Sequence, residues 1–468
     1  MTARQESPVR ARFRHAWRPA AVRRWILLGI VLSAAGVPGL FGQAPEASLQ
    51  FKHLTAEDGL SHSWIRAILQ DSRGYMWLGT YSGLDRYDGY KFKAYNREKG
   101  NPHSLLNGAV ACLFEDRQKR LWVGHMEGLS LYRPATDDFD NFCDAGSSRA
   151  RGSIPLEGLG SLISSILEDE SGKLWLASDS GLLLFDPEAR KILNHYRHDP
   201  SDPNTLSQGE VRHIVRDKSG NLWLAVTQGL NRFNPRTNRV TRFSRGREGA
   251  GLPSNEVLQL AIDQYNYLWI GTAGGLCRLK LDQPDPPTIE WFRHDGSDPN
   301  SVAGDLVRAL LIDRQARLWI GTENAGLDRF NYETGTFSHN KSDPDNPASL
   351  GNNSIYSLIE DRTGALWVGT FAAGLSVSRK NGDAILHFAR SPGNRNSLGN
   401  NSVTDFLEDR GGSVWICTDG GGLDRFDPRT GQFQHWTTAN SGITSDAVLD
   451  VFPDRDGNLL IGTWAGGL

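Results

Sequence analysis

The sequence predicts an all-β protein of the β-propeller class, because one short motif recurs nine times along the chain. Each copy joins an acidic residue, a tight turn, an apolar strand and a Gly-Leu pair, as between Asp71 and Leu84. Successive anchor positions lie 45 to 53 residues apart, which is a period typical of propeller blades with four short strands each. The anchors are Trp77, Trp122, Trp175, Trp223, Trp269, Trp319, Trp367, Trp415 and, in the ninth copy, Leu460.

The composition is that of a globular protein of 468 residues. A net charge of -3 excludes the strongly basic surface with which proteins bind nucleic acid. The cysteines form no CxxC pair and have no metal-ligand spacing, so we predict buried small residues, with one disulfide as the alternative. The sequence predicts no metal, no cofactor and no catalytic residue. The four cysteines are Cys112, Cys143, Cys277 and Cys417.

The N-terminal segment has the charge pattern of a targeting sequence. Residues 1–24 carry seven arginines against one acidic residue, and Trp25 to Pro45 has no charged side chain. A basic segment followed by an apolar core of about 7–15 residues is typical of a secretory signal. We interpret residues 1–47 as a signal peptide cleaved near Ala44 or Ala47, or as a membrane anchor, since about 20 uncharged residues can span a bilayer. Both interpretations place the repeats in the periplasm or otherwise outside the cytoplasm.

A lone strand is predicted ahead of the first complete repeat. Phe51-Lys-His-Leu54 has the pattern of a final blade strand such as Phe433-Gln-His-Trp436. An outer strand in this place can pair with the last blade and so remove an exposed sheet edge. We therefore expect this segment to close the ring.

Each repeat is predicted to form four strands. Strand one is apolar and ends on an acidic residue, as from Trp64 to Asp71. In the turn that follows, Asp bonds the backbone and Gly accepts a positive φ. Strand two reads Leu-Trp-Ile/Val/Leu-Gly-Thr, strand three begins with Gly-Leu, and strand four is of the Phe-x-x-Tyr type. Long polar loops, such as residues 198–206, lead to the next blade.

The anchor tryptophans are predicted to be core residues rather than sugar-stacking residues. Side chains in strand two alternate faces, and neighbouring blades cover both faces. Burying about 200 Å² per tryptophan at about 25 cal/mol per Å² contributes several kcal/mol gross for each anchor. Trp464 lies in a loop instead and is a better stacking candidate. We interpret a recurrent strand-three arginine as framework: Arg86, Arg232, Arg278, Arg329 and Arg425.

The repeats resemble the two-component regulator propeller repeat. The resemblance is carried by Glu360 to Thr370, by Glu408 to Thr418 and by the opening segment Leu54 to Ile65, and it covers about residues 50–468. It implies the periplasmic sensor region of hybrid two-component systems, where fourteen repeats commonly form two seven-bladed rings. We expect a seven-bladed ring over residues 48–390, followed by blades eight and nine over 391–468, which begin a second ring or enlarge the first.

The same resemblance implies parts beyond the printed chain. In that family a small β-sandwich, a membrane span and a cytoplasmic output domain follow the propellers. The output is often a histidine kinase, and a diguanylate cyclase also occurs. Because the ninth copy stops midway, at Leu468, we expect a longer polypeptide. Some relatives sense oligosaccharides, so the expected partners are a small-molecule or oligosaccharide ligand and the membrane, and a homodimer is compatible with this reading.

Two sets of loops share one face of a propeller whose first strand is innermost, and their tips gather near the axis. Between the anchor and the Gly-Leu pair, repeats six to nine have one extra residue, which changes the lining of part of this rim. Aromatic side chains beside carboxylates and amides suit the ring faces and hydroxyls of a sugar. The predicted ligand-binding residues are His62, Trp64, Tyr81, Asn107, His125, Glu127, Asp179, Gln228, Glu323, Asn324, Phe371 and Asp419.

Three functions are compatible with the sequence. The first is a ligand sensor, and the second is a propeller enzyme of the glycosidase or lyase type, since the turn resembles the Asp-box of sialidases. A sialidase-like enzyme would need converging arginines and a tyrosine nucleophile. A lyase would need a general acid or base, for which His62 and His125 are candidates. The third is a protein-binding scaffold.

Overall fold

The computed structural model describes residues 49–146, 152–283, 287–378, 388, 390–391, 393–409, 411–428, 430–454 and 458–467. The signal peptide or anchor predicted for residues 1–47 lies outside this range. None of the helices in the described residues has the length and apolar character needed to cross a membrane.

The described chain consists of antiparallel sheets in chain order, which confirms the predicted fold class. The first elements are β1 (Phe51–Leu54) and a 3-10 helix (Ala56–Asp58). Blades one to three contain β2 (Ile65–Gln70), β3 (Met76–Thr80), β4 (Leu84–Tyr87), β5 (Phe92–Tyr95), β6 (Val110–Glu115), β7 (Leu121–His125), β8 (Gly128–Arg133), β9 (Asp138–Asp144), β10 (Ile154–Leu156), β11 (Ile163–Glu168), β12 (Leu174–Ser178), β13 (Gly181–Asp186) and β14 (Lys191–Tyr196). In blade two, β10 adds a fifth strand parallel to β9.

Blades four to six repeat the same order with four strands each, and blade seven has three strands of its own, to which β1 is added. They contain β15 (Val211–Arg216), β16 (Leu222–Val226), β17 (Gly229–Asn234), β18 (Arg239–Phe243), β19 (Val257–Ile262), β20 (Tyr267–Thr272), β21 (Gly275–Lys280), β22 (Ile289–Phe292), β23 (Val307–Ile312), β24 (Leu318–Thr322), β25 (Leu327–Phe330), β26 (Phe337–Asn340), β27 (Ile355–Glu360), β28 (Leu366–Thr370) and β29 (Leu375–Ser378). Blade eight and a hairpin follow, with β30 (Val403–Glu408), β31 (Val414–Thr418), β32 (Gly422–Asp427), β33 (Gln432–Trp436), β34 (Val448–Pro453) and β35 (Leu459–Thr463).

The first seven blades form a closed ring. The innermost strands β2, β6, β11, β15, β19, β23 and β27 contact one another in succession, and β27 returns to contact β2. Strand β1 supplies the outer strand of blade seven, where it pairs antiparallel with β29 and brings Phe51 opposite Ser378 and Leu54 opposite Leu375. The predicted closing strand is therefore confirmed. The division near residue 390 and a second ring stay predictions, since β30 to β35 form one sheet and one hairpin.

The anchor tryptophans form the core, as predicted. Trp77 is fully buried, and its indole Nε1 donates a 2.9 Å hydrogen bond to Asp71 Oδ2. The other oxygen of this carboxylate accepts bonds from the backbone N–H groups of Arg73 and Tyr75. The acidic residue of this turn thus holds both its own backbone and the anchor six residues later. The same indole bond recurs at Trp122, Trp223, Trp269, Trp319, Trp367 and Trp415.

The recurrent arginines are part of this framework. Register places Arg86 directly opposite Trp77 and Arg232 opposite Trp223 on neighbouring strands. The guanidinium carbon lies 5.6 Å and 5.8 Å, respectively, from the indole centroid, which is a cation–π distance. The same contact recurs at Arg278, Arg329 and Arg425.

A polar residue in strand three fixes the loop that leads into each of several blades. Asp85 Oδ2 accepts hydrogen bonds from the backbone N–H and the hydroxyl of Ser61, at 2.9 Å and 2.7 Å. Asn231 and Asp328 bind the backbone N–H groups of Ser207 and Ala303 in the same way. These bonds anchor the loops on which the candidate site is built.

All four cysteines are free thiols. Cys143, Cys277 and Cys417 are buried, as predicted, and Cys112 is half-buried. The alternative of a disulfide among them is therefore wrong for this structure.

Candidate functional site at the mouth of the ring

The inner strand of every ring blade carries an irregularity at the same place. In blade one the pairing shifts between Ile65 and Ala67, so that Arg66 is an extra residue on this strand. Such β-bulges re-aim a side chain and often lie next to functional sites. The seven residues at this place, one from each blade, are Arg66, Ala111, Ser164, Arg212, Leu258, Arg308 and Tyr356.

The bulge residues lie at the end of the ring where the incoming loops and the loops between strands two and three meet. We call this end, with the seven bulge residues and those two loop sets, the mouth. Arg66 of blade one interacts electrostatically with Glu210, in the loop that enters blade four, and with Tyr356 of blade seven.

Four aromatic side chains form a continuous patch at the mouth. Trp64 stacks on Tyr81 with a centroid distance of 4.9 Å and an interplanar angle of 12°. Phe371 and Tyr356 meet the same indole edge-on at 5.0 Å and 5.4 Å. Tyr81 and Phe371 are 48% and 47% exposed, so the patch faces solvent. We call Trp64, Tyr81, Tyr356 and Phe371 the aromatic patch.

The aromatic patch joins predicted residues from opposite ends of the ring sequence. Trp64 and Tyr81 belong to blade one, whereas Phe371 lies in the lengthened loop of blade seven. His62 borders the patch, with its ring 6.1 Å from that of Tyr81, and its Nδ1 accepts a bond from the Trp64 backbone N–H. The sequence analysis missed Tyr356. The one sequence feature that could have indicated it is that the residue at the bulge position differs from blade to blade.

Two of the arginines at the bulge positions of the mouth form ion pairs. Arg308 forms an ion pair with Glu323 and lies 4.8 Å above the Tyr356 ring. Arg212 forms ion pairs with Glu256 at 2.9 Å and with Glu210 at 3.7 Å. Burial raises the pKa of the Glu210 carboxyl, and the nearby Arg212 guanidinium acts in the opposite direction. Glu323 was predicted for the site, whereas Arg66, Arg212 and Arg308 were not.

Several other predicted residues shape the loops of the rim. Asp179 accepts hydrogen bonds from the backbone N–H groups of Ser161 and Leu162. Asn107 accepts one from the Ala109 backbone N–H, and Asn324 accepts one from the Ser354 hydroxyl. Gln228 is exposed and Glu127 is half-buried. Their part in ligand binding stays a prediction.

Two predicted residues do not lie at the exposed mouth. His125 is fully buried at the end of β7, where its Nε2 lies 2.8 Å from Ser130 Oγ. In blade one the equivalent place holds Thr80, so His125 fills a core position rather than the rim. Asp419 is exposed but belongs to blade eight, outside the closed ring. Trp464, at the end of the hairpin, is exposed and also lies outside the ring.

Replacing His125 by threonine, the residue at this place in blade one, is expected to flatten the loss of stability in acid. Burial lowers the pKa of His125 to about 3, whereas in the unfolded chain it is about 6.5. Below pH 6.5 the unfolded state binds a proton that the folded state does not, so the free energy of unfolding falls as the pH decreases toward 3. Denaturant titrations of both proteins between pH 7 and pH 4 measure this slope.

The control for this experiment is His62→Thr, which removes a half-buried histidine at the mouth. It measures how the replacement of a histidine outside the core changes the same slope. A His125→Thr slope equal to that of the wild type would contradict the buried, neutral histidine.

The strand-three arginines and His125 occupy framework positions. No group of three or more His, Cys, Asp or Glu side chains within the described ranges is arranged to hold a metal ion. The strand-three arginines are stacked on anchor tryptophans rather than converging on one carboxylate position. His125 is fully buried against Ser130. The geometry therefore favours binding over the sialidase-like chemistry.

Comparison of sequences identifies the repeats. Five segments match the family model described as the two-component regulator propeller, at residues 59–82, 104–127, 251–274, 349–372 and 397–420. The four segments within the ring span an incoming loop, strand one and strand two, and so include the residues of the aromatic patch. The histidine kinase P4 of Formosa agariphila is 38% identical over 63 residues, which cover 14% of this chain and 5% of that protein.

Solved structures share the fold. The extracellular domain of a hybrid two-component system from B. thetaiotaomicron superposes with a TM-score of 0.66 at 24% identity, over 90% of this chain and 53% of the other. A second such extracellular domain from the same organism gives a TM-score of 0.56 at 23% identity, over 90% and 58%. The chain thus spans about half the length of these structures.

Proposed function

Because the chain contains two-component regulator propeller repeats, we propose that it is the extracytoplasmic ligand-sensing part of a two-component receptor. We propose that the aromatic patch binds an oligosaccharide. The output in the complete receptor is a histidine kinase, a proposal supported by the similarity to the histidine kinase P4. The matched structures, which are extracellular domains of two-component systems, support the location.

The observation that carries this proposal is the exposure of the aromatic patch. Monomeric proteins rarely leave several large aromatic side chains grouped at the surface unless the group binds something. Stacked and edge-on rings offer flat apolar faces, and the neighbouring Arg308–Glu323 pair offers donors and acceptors for hydroxyl groups. A pocket with apolar walls and a few polar groups is the usual form of a small-molecule site.

The place of the patch also suits a sensor. Trp64 and Tyr81 belong to blade one, and Tyr356 and Phe371 belong to blade seven, the blade that β1 completes. A ligand on the patch bridges the seam at which the ring closes. Binding there stabilises the closed ring, because a ligand stabilises the state that it binds.

Replacing Phe371 by alanine is expected to weaken oligosaccharide binding about ten-fold, which corresponds to roughly 1.4 kcal/mol. The change removes one exposed wall of the patch and leaves the stack of Trp64 on Tyr81. A glycan array probed with the full chain first finds the binding oligosaccharides, and calorimetry then measures their affinities. The matched control is Tyr265→Ala, because Tyr265 is equally exposed, at 49%, but lies in a strand-one-to-two turn at the other end of the ring.

Equal losses of affinity in Phe371→Ala and Tyr265→Ala would mean that the oligosaccharide binds outside the aromatic patch. If the chain binds no oligosaccharide on the array and the mouth captures a protein partner, the sensor function is wrong and the protein-binding scaffold is favoured.

A further inference from the structure

We propose that the mouth selects an anionic saccharide, and that the Arg66 guanidinium binds the carboxylate or sulfate group of this ligand. The inference rests on the proposed saccharide-sensing function and adds the chemical class of the ligand. It is carried by the position of Arg66, by a guanidinium that forms no hydrogen bond or ion pair with the described residues, and by the ion pairs of the other two bulge arginines.

Arg66 lies beside the surface on which the sugar would stack. It is the bulge residue of blade one, two positions after Trp64, and its guanidinium carbon is 5.8 Å from the centroid of the Trp64 ring. Tyr81 and Phe371 meet the same indole. The substituents of a saccharide bound on the aromatic patch therefore lie close to this guanidinium.

The guanidinium of Arg66 has no hydrogen bond or ion pair within the described parts of the chain. The other two arginines at the bulge positions differ from it. Arg212 is paired with Glu210 and Glu256, and Arg308 is paired with Glu323. Since Glu210, Glu256 and Glu323 form ion pairs with these two arginines, Arg66 is the bulge arginine that remains for a ligand.

A half-buried guanidinium that forms no hydrogen bond or ion pair is unfavourable, because burial removes water that no acceptor among the described residues replaces. Burial lowers the pKa of Arg66 accordingly. An incoming oxyanion supplies the missing acceptors, since guanidinium matches a carboxylate or a sulfate with two parallel charge-assisted hydrogen bonds. A neutral sugar offers hydroxyl groups only, so the structure favours the charged ligand.

The test uses pairs of probes that share one saccharide backbone, one member carrying the anionic groups and the other having them esterified or removed. Calorimetry with the full chain compares tetragalacturonate with its methyl ester, and a sulfated galactan tetrasaccharide with its desulfated form. We expect the charged member of one pair to bind about ten- to hundred-fold more tightly than its neutral form, as for a hydrogen bond to a charged group. Arg66→Gln is expected to remove this preference. Arg66→Lys keeps the charge without the planar fork and is expected to retain part of it.

The matched control is Arg232→Gln, since Arg232 lies at the same 5.8 Å from its own tryptophan but in strand three of blade four. It is expected to keep the preference, and melting temperatures show that each variant is folded. Equal binding of charged and neutral members by the wild type overturns the inference and leaves the saccharide sensor standing. Binding of neither member of either pair overturns the inference for both classes of anion, and the glycan array then decides the proposed function separately.

Discussion

Replacing Trp223 by alanine is expected to lower the free energy of unfolding by about 3–5 kcal/mol, the range for loss of a buried large aromatic side chain. The side chain is 2% exposed, its indole Nε1 donates to Asp217 Oδ2 at 2.9 Å, and Arg232 covers one face. The variant leaves a cavity and also a carboxylate that has lost its indole donor. Urea titration followed by circular dichroism measures the difference.

The control for Trp223→Ala is Trp464→Ala. Trp464 is 68% exposed, and its removal is expected to change the free energy of unfolding by less than about 0.5 kcal/mol, as for most surface substitutions. A Trp223→Ala protein as stable as the wild type would contradict the core role of the anchors, whatever the control shows.

Replacing Phe51 by alanine is expected to cost a similar amount, about 3–5 kcal/mol. Phe51 is 1% exposed and packs with Trp319, Leu350 and Ile355, so one side chain of β1 fills the core between blades six and seven. Strand β1 completes blade seven, so weaker packing of this strand also exposes the edge of β29 more often. We expect a lower melting temperature and faster amide exchange in β27 to β29 than in β15 to β18.

The control is Lys52→Ala in the same strand. Lys52 is exposed, so its removal leaves both the backbone pairing to Val377 and the core intact. Amide exchange that rises equally in blades four and seven of Phe51→Ala would mean that the ring unfolds as a whole rather than from its closing seam.

Much of the fold could be predicted because the contacts that define a blade are local. The bond from Trp77 to Asp71 spans six residues, and the pairing of strands two and three follows from a short turn. Such contacts recur along the repeats, so the repeated motif predicts them. The long-range closure by β1 could also be predicted, because Phe51-Lys-His-Leu54 has the pattern of a final blade strand but precedes the first complete repeat.

The candidate site was only partly predictable. The residues of the two loop sets could be named from strand order, and Trp64, Tyr81 and Phe371 do meet. His125 was assigned to the loop after strand two, yet it occupies the place of the strand-two threonine and pairs with Gly128 as the last residue of the buried strand β7. Arg66 and Tyr356 were overlooked because a bulge leaves no fixed sequence signature: it depends on pairing across strands.

The sequence by itself determined the blade, its repeat number and its closing strand, because their bonds link residues close together in one repeated motif. Only the tertiary structure decided which variable side chains share the mouth. The hydrogen bond from Ser357 Oγ to the Ile65 carbonyl joins positions separated by 292 residues. Such contacts form because the ring curves until blade seven meets blade one, and that curvature comes from packing between blades rather than from any single motif.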